Sequence, residues 1–147
     1  MENSWDIRRA SDADATAIVS LHSALNRPPR ADSVTSEYFV AMAGCVLIGC
    51  AAAREREDLG YLYGLAVERR WRKRGIGHAL TQQRLEWLRS EGASSAFVLA
   101  MFWNIRFFMA HGFQLAARNL LRDLTNLHGD FSQSWSCRSA LLVCRLR

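Results

Sequence analysis

The 147-residue sequence predicts an α+β fold built on one mixed sheet of about six to seven strands, and three observations predict it. Two strand-like runs, Tyr38–Met42 and Cys45–Ala53, are separated only by Ala43-Gly44, which is hairpin spacing. A turn over Glu55–Asp58 then leads into Tyr61-Leu62-Tyr63-Gly64-Leu65-Ala66-Val67, giving an antiparallel meander. Finally, a helical stretch precedes a second apolar run, Ala96-Phe97-Val98-Leu99-Ala100, inside Ser95–Met101. A strand reached through a crossover helix lies parallel to the strand before it, and this makes the sheet mixed.

The remaining elements follow in order. Trp5–Arg8 is a short first strand, and Ser11 or Asp12 caps a helix that buries Ala15, Ile18, Val19, Leu21 and Leu25. That helix ends before Pro28-Pro29, since neither proline can continue it. Asn26–Ser36 is polar and proline-containing, a loop of the kind that carries substrate contacts. The central helix presents Ile76, Ala79, Leu80, Gln83, Trp87 and Leu88 on one face and Gln82, Arg84, Glu86, Arg89 and Glu91 on the other. It stops near Glu91-Gly92. Asn104–His111 is a second short helix closed by Gly112. Phe113–Ala117 and Ser139–Arg145 form a last strand pair across a long segment rich in Ser, Asn and Asp. Half of the residues are hydrophobic, enough for a single domain over 1–147 with its own core.

Charge and cysteine usage narrow the function classes. The net charge is +5, and the basic residues Arg69, Arg70, Arg72, Lys73 and Arg74 are crowded into one turn, which points to a polyanionic ligand, nucleotide-like or nucleic acid. Cys45, Cys50, Cys137 and Cys144 show neither C-x-x-C spacing nor a histidine at zinc-ligand spacing, so no metal site is expected. They read as free thiols of a reducing compartment, with Cys45 and Cys50 as small buried hydrophobes. The N-terminus has no signal-like apolar core, and Ala41–Ala53 is too short to span a bilayer. A cytoplasmic protein without a membrane role is expected.

The chemistry concentrates in Arg72-Lys73-Arg74-Gly75-Ile76-Gly77, where the strand gives way to the central helix. Amides at a helix N-terminus have no partner inside the helix, and the peptide dipoles add partial positive charge there. A glycine-punctuated turn at that place is suited to phosphate. It is not a nucleotide P-loop, because no segment supplies the glycine, four residues and Gly-Lys-Ser/Thr. Nor is it a dinucleotide fingerprint: Gly75-Ile76-Gly77-His78-Ala79-Leu80 carries leucine where the third glycine belongs, and the chain does not begin with alternating strand and helix.

The block Leu65-Ala66-Val67-Glu68-Arg69-Arg70-Trp71-Arg72-Lys73-Arg74-Gly75-Ile76-Gly77-His78-Ala79-Leu80 instead resembles the Arg/Gln-x-x-Gly-x-Gly/Ala signature of the GNAT acyltransferase superfamily. Phe107-Phe108-Met109-Ala110-His111-Gly112-Phe113 resembles that family's Phe-Tyr-x-x-x-Gly-Phe, and Ile7-Arg8-Arg9-Ala10 with Asp14 and Ile18 resembles its usual start. The resemblance implies a GNAT fold: an antiparallel N-terminal meander, a splayed parallel strand pair, and helices on both faces of the sheet. It also implies acetyl-CoA as cosubstrate. Arg72, Lys73, Arg74, Gly75, Ile76, Gly77 and His78 would surround the pyrophosphate. The pantetheine arm would pair with the backbone of Leu65, Ala66 and Val67, one of whose amides would polarise the thioester carbonyl. Phe107 and Phe108 would complete the cosubstrate site; the family's asparagine aligns with Met101 here, and Asn104, one helical turn closer, would supply a similar contact.

Two positions depart from the family pattern. Phe108 stands where many members carry a tyrosine that protonates the departing sulfur, and Tyr61 stands where many carry a glutamate base. A thiol with a pKa around 8.5 leaves tolerably as thiolate, so an acid is a help rather than a requirement. The amine's proton would go to Tyr61, to Tyr63, or to a water held by Glu37 or another acid. Tyr61 and Tyr63, two apart on a strand, share one side of it, as joint lining of an acceptor pocket or as a paired aromatic surface. Phe97-Val98-Leu99 followed by Phe107-Phe108 resembles the N-acetylglutamate-synthase-like branch.

The expected acceptor is therefore a primary amine of a small molecule, an amino acid among them, taken up by a monomer or homodimer. The alternative is a GNAT-shaped module that holds CoA, or nothing, without catalysing transfer. Nucleic-acid binding through Arg69–Arg74 ranks last, because only Trp71 among the base-stacking residue types is interleaved with the basic run. His78 reads as an exposed helix-start residue and His111 as a helix-end residue favoured by the dipole. His22 and His128 carry no partner signal.

Overall fold

The computed structural model describes residues 4–25, 36–117, 120 and 139–147. Of the loop expected over Asn26–Ser36, residues 26–35 lie outside the described residues and Ser36 opens a strand instead; most of the polar segment after Ala117, His128 and Cys137 also lie outside them. The strands are β1 (Asp6–Arg9), β2 (Ser36–Ala43), β3 (Val46–Arg56), β4 (Leu59–Val67), β5 (Ser95–Met101), β6 (Gln114–Leu115) and β7 (Ser139–Arg145). The helices among the described residues are α1 (Ala15–Ala24), α2 (Ile76–Ser90) and α3 (Ile105–Met109). The strands pair in the order β1-β2-β3-β4-β5-β7-β6. β4 and β5 are parallel from Leu59↔Ser95 to Leu62↔Val98, whereas β1–β2, β5–β7 and β6–β7 are antiparallel. The mixed sheet and its parallel pair agree with the sequence-based expectation.

Two turns differ from that expectation. The β2–β3 hairpin turns on Gly44-Cys45 rather than Ala43-Gly44, which leaves Cys45 exposed instead of buried. β3 runs on to Arg56, so the next hairpin turns on Glu57-Asp58 alone, both with positive φ (50° and 73°). A two-residue turn with both central residues left-handed matches the twist of the flanking strands, but its usual sequence mark is Asn-Gly or Asp-Gly. Glu-Asp carries no such mark. The Asp58 amide donates to Glu55 Oε1 at 2.9 Å and helps hold the turn.

The chain folds as two compact units, residues 1–53 with 64–86 and residues 54–63 with 87–147. In the first, Ile18, Leu21, Val40, Cys50 and Ala66 form the core. Successive residues of β3 face opposite ways: a Cβ at Gly49 would meet Ile76 of α2 at 3.2 Å, while Cys50 meets His22 of α1. Helices thus flank this sheet on both faces. α1 buries Ile18, Leu21 and His22, whereas Ala15 and Val19, expected inside, are exposed. Ile18, Leu21, His22 and Leu25 fall at i, i+3, i+4 and i+7 and share one stripe, whereas Val19 lies about 100° round from Ile18 and Ala15 is in the first turn, which a 3₁₀ turn over Asp12–Asp14 precedes.

Asp14 is the anchor of that turn. Both oxygens of its carboxylate accept from the Arg8 guanidinium, at 2.8 and 2.9 Å, and Oδ2 also accepts from the Ser11 amide at 2.7 Å. The Arg8 bonds and then the Ser11 amide hold the Asp14 carboxyl far below the usual carboxylate range. Because the folded pKa is depressed, this stabilisation is present above the unfolded value of about 3.9 and is lost as the pH falls below it. Asp14→Asn is expected to lower the urea midpoint at pH 7. Its difference from wild type should shrink as the pH is taken below about 4, and a constant difference would refute the assignment.

The largest correction concerns α2. Its buried residues are Ile76, Leu80, Thr81, Arg84, Leu85 and Leu88; Gln83 is exposed, and Arg84, assigned to the outer face, is only 1% exposed. The guanidinium donates to Ala52 O at 3.2 Å, to Leu80 O at 3.4 Å and to Thr81 Oγ1 at 3.0 Å, and Thr81 in turn donates to Gly77 O at 2.8 Å. Burial pulls the Arg84 guanidinium well below its ordinary range. Two polar residues are therefore folded inward as a connected pair, which a hydrophobic-periodicity reading assigns to the surface. α2 closes as expected at Gly92: the Gly92 amide bonds Arg89 O and the Ala93 amide bonds Leu88 O, both at 3.0 Å.

In the second unit, Tyr61, Phe97 and Leu141 form a core cluster with Leu59, Tyr63, Leu99 and Val143 packed against it. α3 is shorter than the expected Asn104–His111. Its end has the same paired bonds as that of α2, from the Gly112 amide to Met109 O and from the Phe113 amide to Phe108 O.

Candidate cosubstrate and acyl-transfer site

The first unit carries every residue expected to hold the cosubstrate's phosphates and arm, residues 65–67 and 72–78. β4 ends at Val67, a 3₁₀ turn follows over Arg69–Trp71, and α2 starts at Ile76. The first i→i−4 bond of α2 runs from the Ala79 amide to Gly75 O at 3.0 Å, so the amides of Ile76, Gly77 and His78 precede the helical ladder. Lys73 (φ 62°) and Gly75 (φ 84°) are both left-handed, and Arg72 ahead of them is extended. A Cβ at Gly75 would meet nothing within 4 Å.

The basic side chains divide their tasks. Arg72 Nε donates to Val67 O at 3.1 Å, tying the turn to the end of β4, and the Arg74 guanidinium lies 4.8 Å over the ring of Trp71. Trp71 is half-buried and packs as the platform for that cation. Arg72, Lys73, Arg74, Gly75 and His78 are exposed, Gly77 is half-buried, and Ile76 is buried. Of the arm-binding segment, Ala66 is buried, and Leu65 and Val67 are half-buried.

Immediately before that segment Gly64 has φ 69°, a left-handed residue inside the continuous strand β4. Cys50 Sγ lies 3.9 Å from Gly64 O and 3.5 Å from His22 Nε2. His22, for which the sequence shows no partner, thus has one buried on β3. Burial pushes the Cys50 thiol up to about 12, with the Arg84 charge opposing the shift. Its reading as a small buried residue holds.

The second unit carries Tyr61, Asn104, Phe107 and Phe108. Tyr61 is 2% exposed, stacked on Tyr63 (centroids 5.1 Å, 20° between planes) and on Phe97 (4.7 Å, 14°). The shared side of Tyr61 and Tyr63 is as expected. Arg54 completes the cluster, its guanidinium 5.7 Å from the Tyr61 centroid and 5.8 Å from that of Tyr63, a neighbour the sequence reading missed. Phe108 is buried edge-on to Phe107 at 5.0 Å and to Phe113 at 5.7 Å, while Asn104 is half-buried at the start of α3. The Phe108 ring offers no proton to a leaving group.

The family model for the acetyltransferase (GNAT) family matches residues 5–113. The chain belongs to the GNAT acetyltransferase family. It is thereby an acyltransferase of a family that uses acetyl-CoA. Among solved structures, the GNAT domain is similar to an acetyltransferase of Staphylococcus aureus Mu50, with a TM-score of 0.77 and 11% identity, covering 98% of this chain and 100% of that one. It is also similar to N-acetylglutamate synthase of Neisseria gonorrhoeae, solved with coenzyme A and L-arginine, at a TM-score of 0.75 and 25% identity; 99% of this chain matches 34% of that one. Rv2747 of Mycobacterium tuberculosis, solved with CoA and NLQ, gives a TM-score of 0.75 at 21% identity, covering 97% and 99% of the two chains. None of the curated proteins matches the sequence. Among the described residues no helix is long and apolar enough to cross a membrane, and no group of three His, Cys, Asp or Glu could hold a metal.

Proposed function

We propose that this GNAT domain moves the acetyl group of acetyl-CoA to the primary amine of a small molecule, an amino acid being the favoured class. The observation that carries the reading is the turn: left-handed Lys73 and Gly75, amides ahead of the α2 ladder, and nothing within 4 Å of where a Gly75 Cβ would stand. These features fit a diphosphate. Arg72, Lys73, Arg74, Gly75, Ile76, Gly77 and His78 would hold it, with Leu65, Ala66 and Val67 along the extended arm, and Asn104, Phe107 and Phe108 toward its sulfur end. When bound, acetyl-CoA supplies an activated thioester.

The chain's own residues then have a limited task. Backbone amides of β4 stabilise charge developing on the carbonyl oxygen. The amine nitrogen bonds to the acetyl carbon, the carbon–sulfur bond breaks, the sulfur leaves as thiolate because Phe108 has no proton to give, and the proton lost by nitrogen goes to solvent. Tyr61 is proposed as the residue on the acceptor side, its hydroxyl orienting a water that takes the proton away. The amino-acid class is supported by the resemblance of Phe97-Val98-Leu99 with Phe107-Phe108 to the N-acetylglutamate-synthase-like branch and by the likeness to a solved N-acetylglutamate synthase.

The test is release of free thiol from acetyl-CoA by the pure protein across a panel of amino acids, simple amines and polyamines. Acceptor-dependent release, greatest with amino acids, is the expected result. CoA binding without turnover on any amine would favour a non-catalytic CoA-binding module, the reading motivated by Phe108 and Tyr61.

A further inference from the structure

We propose that Arg84 strengthens cosubstrate binding through its charge: a guanidinium buried beneath α2 acts, without touching it, on the diphosphate assigned to the turn over residues 72–78. The inference rests on the cosubstrate reading above and adds to it a residue from outside the turn.

The connection starts from two hydrogen bonds. The Arg84 guanidinium donates to Thr81 Oγ1 at 3.0 Å, and Thr81 Oγ1 donates to Gly77 O at 2.8 Å. Gly77 belongs to the first turn of α2, so the cation stands two hydrogen bonds from the backbone of the phosphate turn. Helical side chains lean toward the N-terminus of their helix, which lets a residue about two turns along reach that far back. The described acceptors of its hydrogen bonds, Ala52 O, Leu80 O and Thr81 Oγ1, are neutral, so they orient the charge without cancelling it. The titratable group acting on it is the Cys50 thiol, which burial pushes up to about 12 and which therefore stays uncharged. Burial pulls the guanidinium itself down to about 9, and at neutral pH it remains a cation.

The medium matters as much as the distance. Ile76, Leu80 and Thr81, the residues of α2 that separate Arg84 from the turn along this face, are all buried. A charge acting through packed protein is weakened far less than one acting through water. The side chains of Arg72, Lys73 and Arg74 are exposed, with water and salt around them. Arg84 thus adds a whole positive charge to the partial charge at the start of the helix. Its sign favours a diphosphate and leaves an uncharged arm unaffected. Stability does not call for a charge at this place, because a hydrophobe of similar volume avoids the desolvation.

The experiment titrates the full chain, as wild type, Arg84→Met and Arg84→Gln, with CoA and separately with pantetheine, which has the arm and no phosphate. Methionine removes the charge and the hydrogen bonds, whereas glutamine removes the charge and keeps an amide donor. Urea unfolding shows that each variant is folded. Both variants are expected to bind CoA about tenfold more weakly than wild type, with pantetheine affinity within about twofold. With acetyl-CoA and the best acceptor of the panel, the loss should appear in KM for acetyl-CoA and not in kcat. Wild-type CoA affinity in Arg84→Gln would assign the effect to hydrogen bonds and overturn the proposal. Pantetheine weakening in step with CoA would overturn it too, by showing a general disturbance of the site. If wild type binds no CoA, the cosubstrate reading falls and takes this proposal with it; if wild type and both variants bind CoA equally, this proposal falls alone.

Discussion

Gly75→Glu is expected to abolish coenzyme A binding. Two costs add at this position. Gly75 holds φ 84°, where an L side chain is strained by roughly 1–2 kcal/mol, so any replacement must distort the turn or carry that strain. A carboxylate would also add a negative charge next to the amides proposed to hold the diphosphate, and repel it. Gly75→Ala separates the two, since it adds the strain without the charge, and it should weaken CoA by roughly tenfold. Calorimetry with CoA on the two variants and wild type reads both. Wild-type affinity in Gly75→Glu would remove the turn from the cosubstrate site.

Arg84→Ala is expected to be the most destabilising of the substitutions proposed. It deletes a side chain that is 1% exposed, leaving a large cavity under α2, and cuts the ties to Ala52 O and Thr81 Oγ1. Losses of about 3–5 kcal/mol accompany large buried truncations. Arg84→Met fills most of the volume without a buried charge. Leu80 O keeps its helical partner and Thr81 still donates to Gly77 O, so methionine should stay within about 1 kcal/mol of wild type, because a buried cation costs desolvation that a hydrophobe does not. Urea unfolding at neutral pH distinguishes the two. Equal destabilisation by alanine and methionine would mean that the guanidinium contacts, not the volume, hold α2 on β3.

Much of the candidate site was legible because its chemistry is local. Gly75 and Gly77 follow a cluster of basic residues at the start of a helix, and a nearby strand, glycine spacing and helix start are all readable within about twenty residues. The parallel relation of β4 and β5 was legible for a similar reason, since a crossover helix admits one handed solution. The Glu57-Asp58 turn was not, because its left-handed residues are of types that usually avoid that conformation. Arg84, His22 and Arg54 were missed for a different reason. Each is a polar residue whose value depends on a partner 28 or more positions away or on another strand: Cys50 for His22, Ala52 for Arg84, and the Tyr61 and Tyr63 rings for Arg54.

By itself the sequence determined the class of fold, the place of the basic, glycine-punctuated turn ahead of the central helix, and, through the family resemblance, the kind of reaction to consider. These depend on spacing along the chain and on which atoms each side chain carries. Only the tertiary structure decided that Arg84 lies inside, that Cys50 and His22 meet at Gly64, and that Arg54 stands over Tyr61 and Tyr63. Burial converts such polar groups from solvated surface into directional contacts, and burial is a property of the packed chain that no local pattern contains.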